Sequence, residues 1–173
     1  VLAGAFGHTY GHHSVWQFYA PERAPVNYPQ CNWRQAIERP GAAQMHHLKD
    51  LILARPYLTR IPDQSILISD AGQRGTHCRA SRDSDGTYAL LYIPQSGWSV
   101  EVRLTWLRSG RGQAYWFDPR SGVSIDLGPV SGDSARFTTL HHGPDWVLVI
   151  DDASAGYPPP GPPGTLNQFG EYR

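Results

Sequence analysis

Cysteine, methionine and a surplus of either charge are what this sequence lacks: its 173 residues include 2 Cys and 1 Met, and 15 Lys plus Arg balance 15 Asp plus Glu. Two cysteines, Cys31 and Cys78, are too few for a disulfide scaffold and the wrong number for a Cys-only zinc site. They fall in different expected units, so two free thiols are expected. A balanced chain offers no electrostatic case for nucleic acid or for an anionic membrane, and no apolar run is long enough to span a bilayer. The opening run Val1–Phe6 has no charged flank and ends after six residues; it is expected to be a strand entered midway through a protein, not a signal peptide. There is no G-x-S-x-G elbow, phosphate loop or dinucleotide fingerprint, and no cofactor is expected.

What the chain does have is aromatic residues, 6 Trp, 9 Tyr and 5 Phe, distributed over three unlike regions. Residues 1–61 begin with the small apolar run, whose lack of alternation suits a strand buried on both faces. A long stretch rich in His, Pro and aromatics follows to Asn32, which is placed to cap a short helix through Trp33, Ala36 and Ile37. Pro40 then sits where a helix can begin, and Met45, Leu48 and Ile52 fall on one apolar stripe of a helix over 41–55 that Pro56 stops. Residues 62–152 carry strand signals with turns at intervals, and Val100, Val102 and Leu104 alternate most cleanly with Glu101, Arg103 and Thr105. Seven or eight short strands at roughly this spacing predict an antiparallel sandwich with a core of its own. Residues 153–173 contain YPPPGPPG, which predicts an extended or disordered Pro/Gly-rich tail.

The chemistry-bearing candidate is GAFGHTYGHHSVWQFY, Gly4–Tyr19. A strand running into a loop with His8, Tyr10, His12, His13 and Trp16 has the look of the C-terminal rim of a barrel strand, where active sites of barrel enzymes sit. Planar residues there can stack on a sugar ring while His and Tyr bond its hydroxyls. The same residue types also serve as ordinary core and surface, so single residues carry less weight than the cluster. A metal is not expected: His8 and His12 share a helical spacing, but Gly7 and Gly11 oppose a helix and no Glu accompanies the histidines. Glycoside hydrolysis needs two carboxyl groups on different elements, and this region has only Glu22, Glu38, Asp50 and the boundary residue Asp63. None of these follows Val1–Phe6 directly, so the catalytic residues are left unassigned.

The run GAFGHTYGHHSVWQFY, the helix PGAAQMHHLKDLILARPY and the stretch RIPDQSIL together resemble the C-terminal part of the apiosidase-like glycoside hydrolases, which are (β/α)8 TIM-barrel enzymes. SRDSDGTYALLYIP and AYWFDPRSG are similar to the β-sandwich that follows that barrel, a module labelled collagen-binding. The resemblance implies an α+β chain: the last strand, loop and helix of the barrel over 1–61, then an antiparallel β-sandwich over 62–152 and the tail. It implies a secreted or periplasmic bacterial protein whose partners are a carbohydrate substrate and the missing N-terminal barrel region, or a chain supplying it. The acid and nucleophile of the family lie on earlier strands, so the chain alone is expected to be inactive, with His8, Tyr10, His12, His13 and Trp16 as its substrate-pocket residues. Two other readings stand beside this one: a carbohydrate- or protein-binding sandwich using Trp98, Tyr115 or Trp116, and a purely structural sandwich jointed to the barrel through Tyr57, Arg60, Pro62 and Asp63.

Overall fold

YALLYI and WVLVIDD are apolar at nearly every position, so strands made from them must be covered on both faces. A computed structural model describes residues 1–162, and it places these two runs, as β3 (Tyr88–Ile93) and β8 (Trp146–Asp152), side by side in the middle of a six-stranded sheet. The other members are β1 (Arg60–Pro62), β2 (Arg79–Asp83), β5 (Arg111–Phe117) and β6 (Ser124–Ser131), in the order β1-β2-β3-β8-β5-β6, every neighbour antiparallel. A separate ribbon pairs β4 (Ser99–Arg103) with β7 (Ser134–Thr138).

Each face of the large sheet has its own cover. On one, Val100 and Val102 of β4 and Phe137 of β7 close over Ala89, Leu91, Ile93, Trp116, Trp146, Leu148 and Ile150. The alternation expected in β4 is observed, with both valines fully buried between the more exposed Glu101 and Arg103. The opposite face presents Tyr88, Leu90, Tyr115, Phe117, Val147 and Val149, and Leu51, Ile52 and Leu2 from the N-terminal region pack there. The core is therefore shared across the expected boundary.

Helix α3 (Pro40–Leu53) supplies that second cover. Pro at its first position needs no partner for a missing N–H, and its fixed φ suits the start. The helix ends in a buried ion pair: Arg55 Nε donates to Asp151 Oδ1 at 3.0 Å and Nη2 to Oδ2 at 2.5 Å, with side chains 1% and 5% exposed. Nη1 also bonds Ala54 O and Nη2 bonds Pro158 O, so the guanidinium fork is well occupied. Nearby, Tyr88 donates its hydroxyl to Pro56 O at 2.8 Å, and burial pushes its phenol up to about 12. Gly122, at φ +73°, is the only residue type that fits its turn, because a Cβ there would strike the His47 ring of α3.

Three expectations are corrected. Val1–Phe6 forms no strand; Gly4 N bonds Val1 O in a turn, because no described strand lies beside the run to pair with it. The strand signals expected from residue 62 on open instead with a 3-10 turn, Gln64–Ile66, and a single bridge from Leu67 to Val102, while β1 includes Pro62 on an edge, where a missing N–H is tolerated. The tail is docked through residue 162: Tyr157 meets Tyr88 edge-on at 6.3 Å, Pro160 is buried, and Ser124 N bonds Pro162 O. The rest of the expected tail, 163–173, lies outside the described residues.

Two predictions follow from these contacts. Asp151→Ala leaves Arg55 buried without its partner and costs about 3–5 kcal/mol in urea unfolding, whereas Arg55→Met with Asp151→Leu costs less than either single change. An NMR titration of the carboxyl carbons will find Asp63, Asp83 and Asp152 below the ordinary 3.8, because hydrogen bonds, from Ser65 and Arg82, from Thr59 and Thr87, and from Ser109 and Ser154 respectively, outweigh the upward push of burial. Their stabilising contribution is complete above that ordinary value and is lost as pH falls through the folded-state values. Asp151 has the opposite sign: burial raises it against the pull of Arg55, so its contribution declines as pH rises through its folded value.

Candidate functional site

The histidine-rich segment begins as exposed chain and becomes one helical turn, α1 (His13–Trp16). Gly7 and Gly11 suppress helix before it, but His12 starts it by accepting Ser14 N on Nδ1 at 3.1 Å. A second turn, α2 (Trp33–Ala36), is capped as expected by Asn32, whose side chain accepts Arg34 N at 3.0 Å. The two turns are tied by Trp33 N bonding Tyr19 O at 2.8 Å.

The five candidate residues separate into two groups. His8 and Tyr10 lie beside α3. His8 lines a cavity of about 590 Å³ with Leu2, Met45, Leu48 and Ile52 on one wall and Tyr92, Phe117, Pro119 and Val147 on the other. It also borders a smaller hollow of about 250 Å³ that includes Phe6, Tyr10, Lys49 and Leu53. The Tyr10 hydroxyl sits over Gly41, where a Cβ would come within 3.2 Å. His12, His13 and Trp16 line neither space. His12 caps α1 and His13 and Trp16 lie in it, with His13 against the Trp16 ring at 4.8 Å and Trp16, 63% exposed, lying over Gly11. Glu22, Glu38 and Asp50 are all exposed, and Asp63 is paired with Arg82 at 2.6 Å. Among the described residues no group of three or more His, Cys, Asp or Glu is placed to hold a metal.

The loop over 17–32 is organised by two side chains that sequence reasoning passed over. Ser14, fully buried, accepts Gln30 N at 3.2 Å and Cys31 N at 3.5 Å on its hydroxyl. Gln17 accepts Val26 N at 2.5 Å and donates to Ala24 O at 3.0 Å. A polar residue among aromatics gives no sequence signal for such a hub, since its partners are backbone groups.

The same loop carries backbone strain. Among the described residues, the non-glycine positions at positive φ are Phe18, Asn27, Tyr28 and Arg74, and the first three lie here. Phe18 N bonds Val15 O at 3.1 Å and Tyr19 N bonds Ser14 O at 2.8 Å, the Schellman ending of a helix, in which glycine is the usual residue at the position Phe18 holds. Asn27 and Tyr28 are consecutive at φ 57° and 55°, a backbone for which Asn-Gly is the favoured pair. Each left-handed aromatic costs roughly 1–2 kcal/mol. Phe18 is 54% exposed and touches Trp33 edge-on at 5.4 Å, while Tyr28 is 91% exposed.

With this geometry in hand, the comparisons are specific. Residues 61–151 match the family described as "Putative collagen-binding domain of a collagenase", and residues 1–59 match "Apiosidase-like, catalytic domain". The chain belongs to the first of these families through more than half of its length, with the apiosidase-like segment directly before it. A solved structure described as a glycoside hydrolase is 31% identical with a TM-score of 0.81, over 88% of this chain and 34% of its own. A crystal structure of a glycoside hydrolase family 5 protein from Bacteroides vulgatus ATCC 8482 is 30% identical with a TM-score of 0.83, over 91% of this chain and 35% of its own. No curated protein matches significantly. The chain is thus an α+β piece, mostly antiparallel sheet, similar nearly end to end to about a third of these glycoside hydrolases.

Ser14→Ala removes the acceptor for Gln30 N and Cys31 N and will cost about 1–3 kcal/mol. Hydrogen exchange should quicken at Gln30, Cys31 and neighbouring loop amides while the Leu148 and Val149 amides of β8 keep their protection.

Proposed function

We propose that the chain is the C-terminal portion of a secreted or periplasmic glycoside hydrolase acting on plant-type polysaccharide or oligosaccharide. In this reading residues 1–61 are the C-terminal end of a (β/α)8 barrel, in which Val1–Phe6, a turn in the described chain, pairs as a strand only beside its barrel neighbours, and the two sheets are the β-sandwich domain that follows. His8, Tyr10, His12, His13 and Trp16 are substrate-pocket residues only once the barrel strands upstream, which carry the catalytic carboxylates, complete the pocket; within the described chain they stand in two separate groups.

The observation that carries the reading is where apolar side chains remain uncovered. Apart from Ile68, Trp98 and Leu127, the exposed large apolar residues among those described all belong to residues 1–61, with Phe6, Leu53 and Leu58 the clearest examples. Residues that could pack on the sheet, Leu51, Ile52 and Leu2, do so. The remainder face outward from a segment whose family match is to a catalytic barrel. Barrel strands and helices bury such side chains against their neighbours. A preceding barrel region, in the same chain or supplied by another, is the natural cover.

The sandwich acts in this reading as a buttress. Its Tyr115 and Trp116 rings are 7% and 1% exposed and form no platform, which leaves Trp98, at 36%, beside an open hollow with Pro94, Gln95, Ser96 and Pro144. The joint runs through Arg55–Asp151 and Tyr88–Pro56. Collagen recognition is not carried over, because a sandwich hosts many functions and no described feature selects collagen.

The test is hydrolysis by the chain alone. Xylan- and pectin-derived oligosaccharides incubated with it and resolved by chromatography should stay intact. Turnover above the buffer blank that tracks with purified chain would overturn the placement of the carboxylates upstream.

A further inference from the structure

We propose that residues 155–162 are a releasable strap that locks the apiosidase-like segment onto the sandwich, and that its release frees the end of α3 while the large sheet stays folded. The strap lies beyond both family matches, which end at residues 59 and 151. Yet it is fastened to a residue of each. Arg55, from the segment that ends at 59, donates through Nη2 to Pro158 O at 2.9 Å. Ser124, from the sandwich, donates its backbone N–H to Pro162 O at 2.9 Å and its hydroxyl to Gly161 O at 3.0 Å. Tyr157 ties the first anchor to the sheet. Its hydroxyl meets Thr87 Oγ1 at 3.0 Å, its ring stands edge-on to Tyr88, and the ring centroid lies 5.0 Å from the Arg55 guanidinium carbon.

The second anchor is a seat with no room for side chains. A Cβ on Gly161 would overlap Gly122 O, and a Cβ on Gly122 would strike the His47 ring of α3. Strap, β5–β6 turn and helix are thus stacked through two glycines. The strap is held at its ends and gives little to the sheet between them. Pro158, Pro159, Pro160 and Pro162 have no N–H, so these residues donate no ladder bond, and the anchors to Arg55 and Ser124 use their neighbours' donors. Undocking therefore breaks no strand pairing. Proline also restricts the undocked segment, so redocking loses little conformational entropy. A segment fastened in this way opens in a step separate from global unfolding.

Amide hydrogen exchange, followed residue by residue by NMR on the full 173-residue chain, tests this with Gly161→Val and Tyr157→Phe. Gly161→Val cannot be seated, so the Ser124 amide and those of residues 51–54 should exchange about 10-fold faster, the net worth of roughly one hydrogen bond. The Leu148 and Val149 amides should keep the parent's protection. Tyr157→Phe, which removes only the hydroxyl contact with Thr87, should move the same amides in the same direction by less. Faster exchange at Ser124 with residues 51–54 unchanged would overturn the lock and leave a passive tail. Equal acceleration at Leu148 and Val149, or a Gly161→Val chain that does not fold, would overturn release as a separate step, because the strap would then belong to the cooperative core. An unchanged Ser124 amide in Gly161→Val would overturn the seat itself.

Discussion

Arg55 meeting Asp151 is the contact on which the arrangement depends. It joins the end of α3 to the central strand β8, and both side chains are almost wholly buried. Two ions taken out of water are stabilising only when their geometry is good and their remaining valences are filled. Both conditions hold here: the fork is bidentate, and the spare guanidinium hydrogens go to Ala54 O and Pro158 O. The ring of Tyr157 lies 5.0 Å from the guanidinium carbon, so the tail closes the site from the side. Helix, sheet and tail converge on one charge pair, which fixes the register of the helix over the sheet more sharply than apolar packing does. Apolar contacts alone would let Leu51 and Ile52 slide along the valine face of β8.

This changes how the two family segments relate. Their matches meet between residues 59 and 61, at the start of β1, which pairs with β2 as an edge of the large sheet. The chain leaving α3 enters the sheet within a few residues, too short a path for a free linker. The face carrying Tyr88, Leu90, Phe117, Val147 and Val149 is covered by α3 and its neighbours. Taken alone, residues 62–152 would expose that face, so the sheet and the apiosidase-like segment stabilise each other. At the other end of α3 the Tyr10 hydroxyl lies over Gly41.

Legibility in the sequence followed the range of the interactions involved. Asn32 capping α2, Pro40 opening α3 and the alternation of β4 are local rules, and each is visible in a window of a few residues. The run WVLVIDD is apolar enough to read as a strand, but what covers its second face is not visible in it, because Leu51 is nearly a hundred residues away in sequence. Pro62 hid β1, since proline argues against strand unless the strand is an edge. The Pro-rich stretch was expected to be extended or disordered, and its docking was not legible because its anchors, Arg55 and Ser124, are remote. At the candidate site the residue types were legible and their grouping was not. His12 spends its Nδ1 on a cap, so it is not equivalent to its neighbour His13, and no spacing rule distinguishes them.

The strain in the 17–32 loop is affordable because of where it sits. Its hydrogen bonds run to Ser14, Gln17 and the turn around α1, and no residue of the loop belongs to either core cluster on the large sheet. Left-handed aromatics in β3 or β8 would break the ladder that the whole fold uses. In a peripheral loop the cost is local and is carried by side-chain bonds to backbone that hold whether or not the rings find a partner. Selection for stability alone would put glycine at position 18, as in most Schellman endings. The phenylalanine there packs edge-on against Trp33, and the rest of its ring stays uncovered like the other exposed apolar side chains of residues 1–61. Tyr28, whose side chain has almost no cover among the described residues, belongs to the same set.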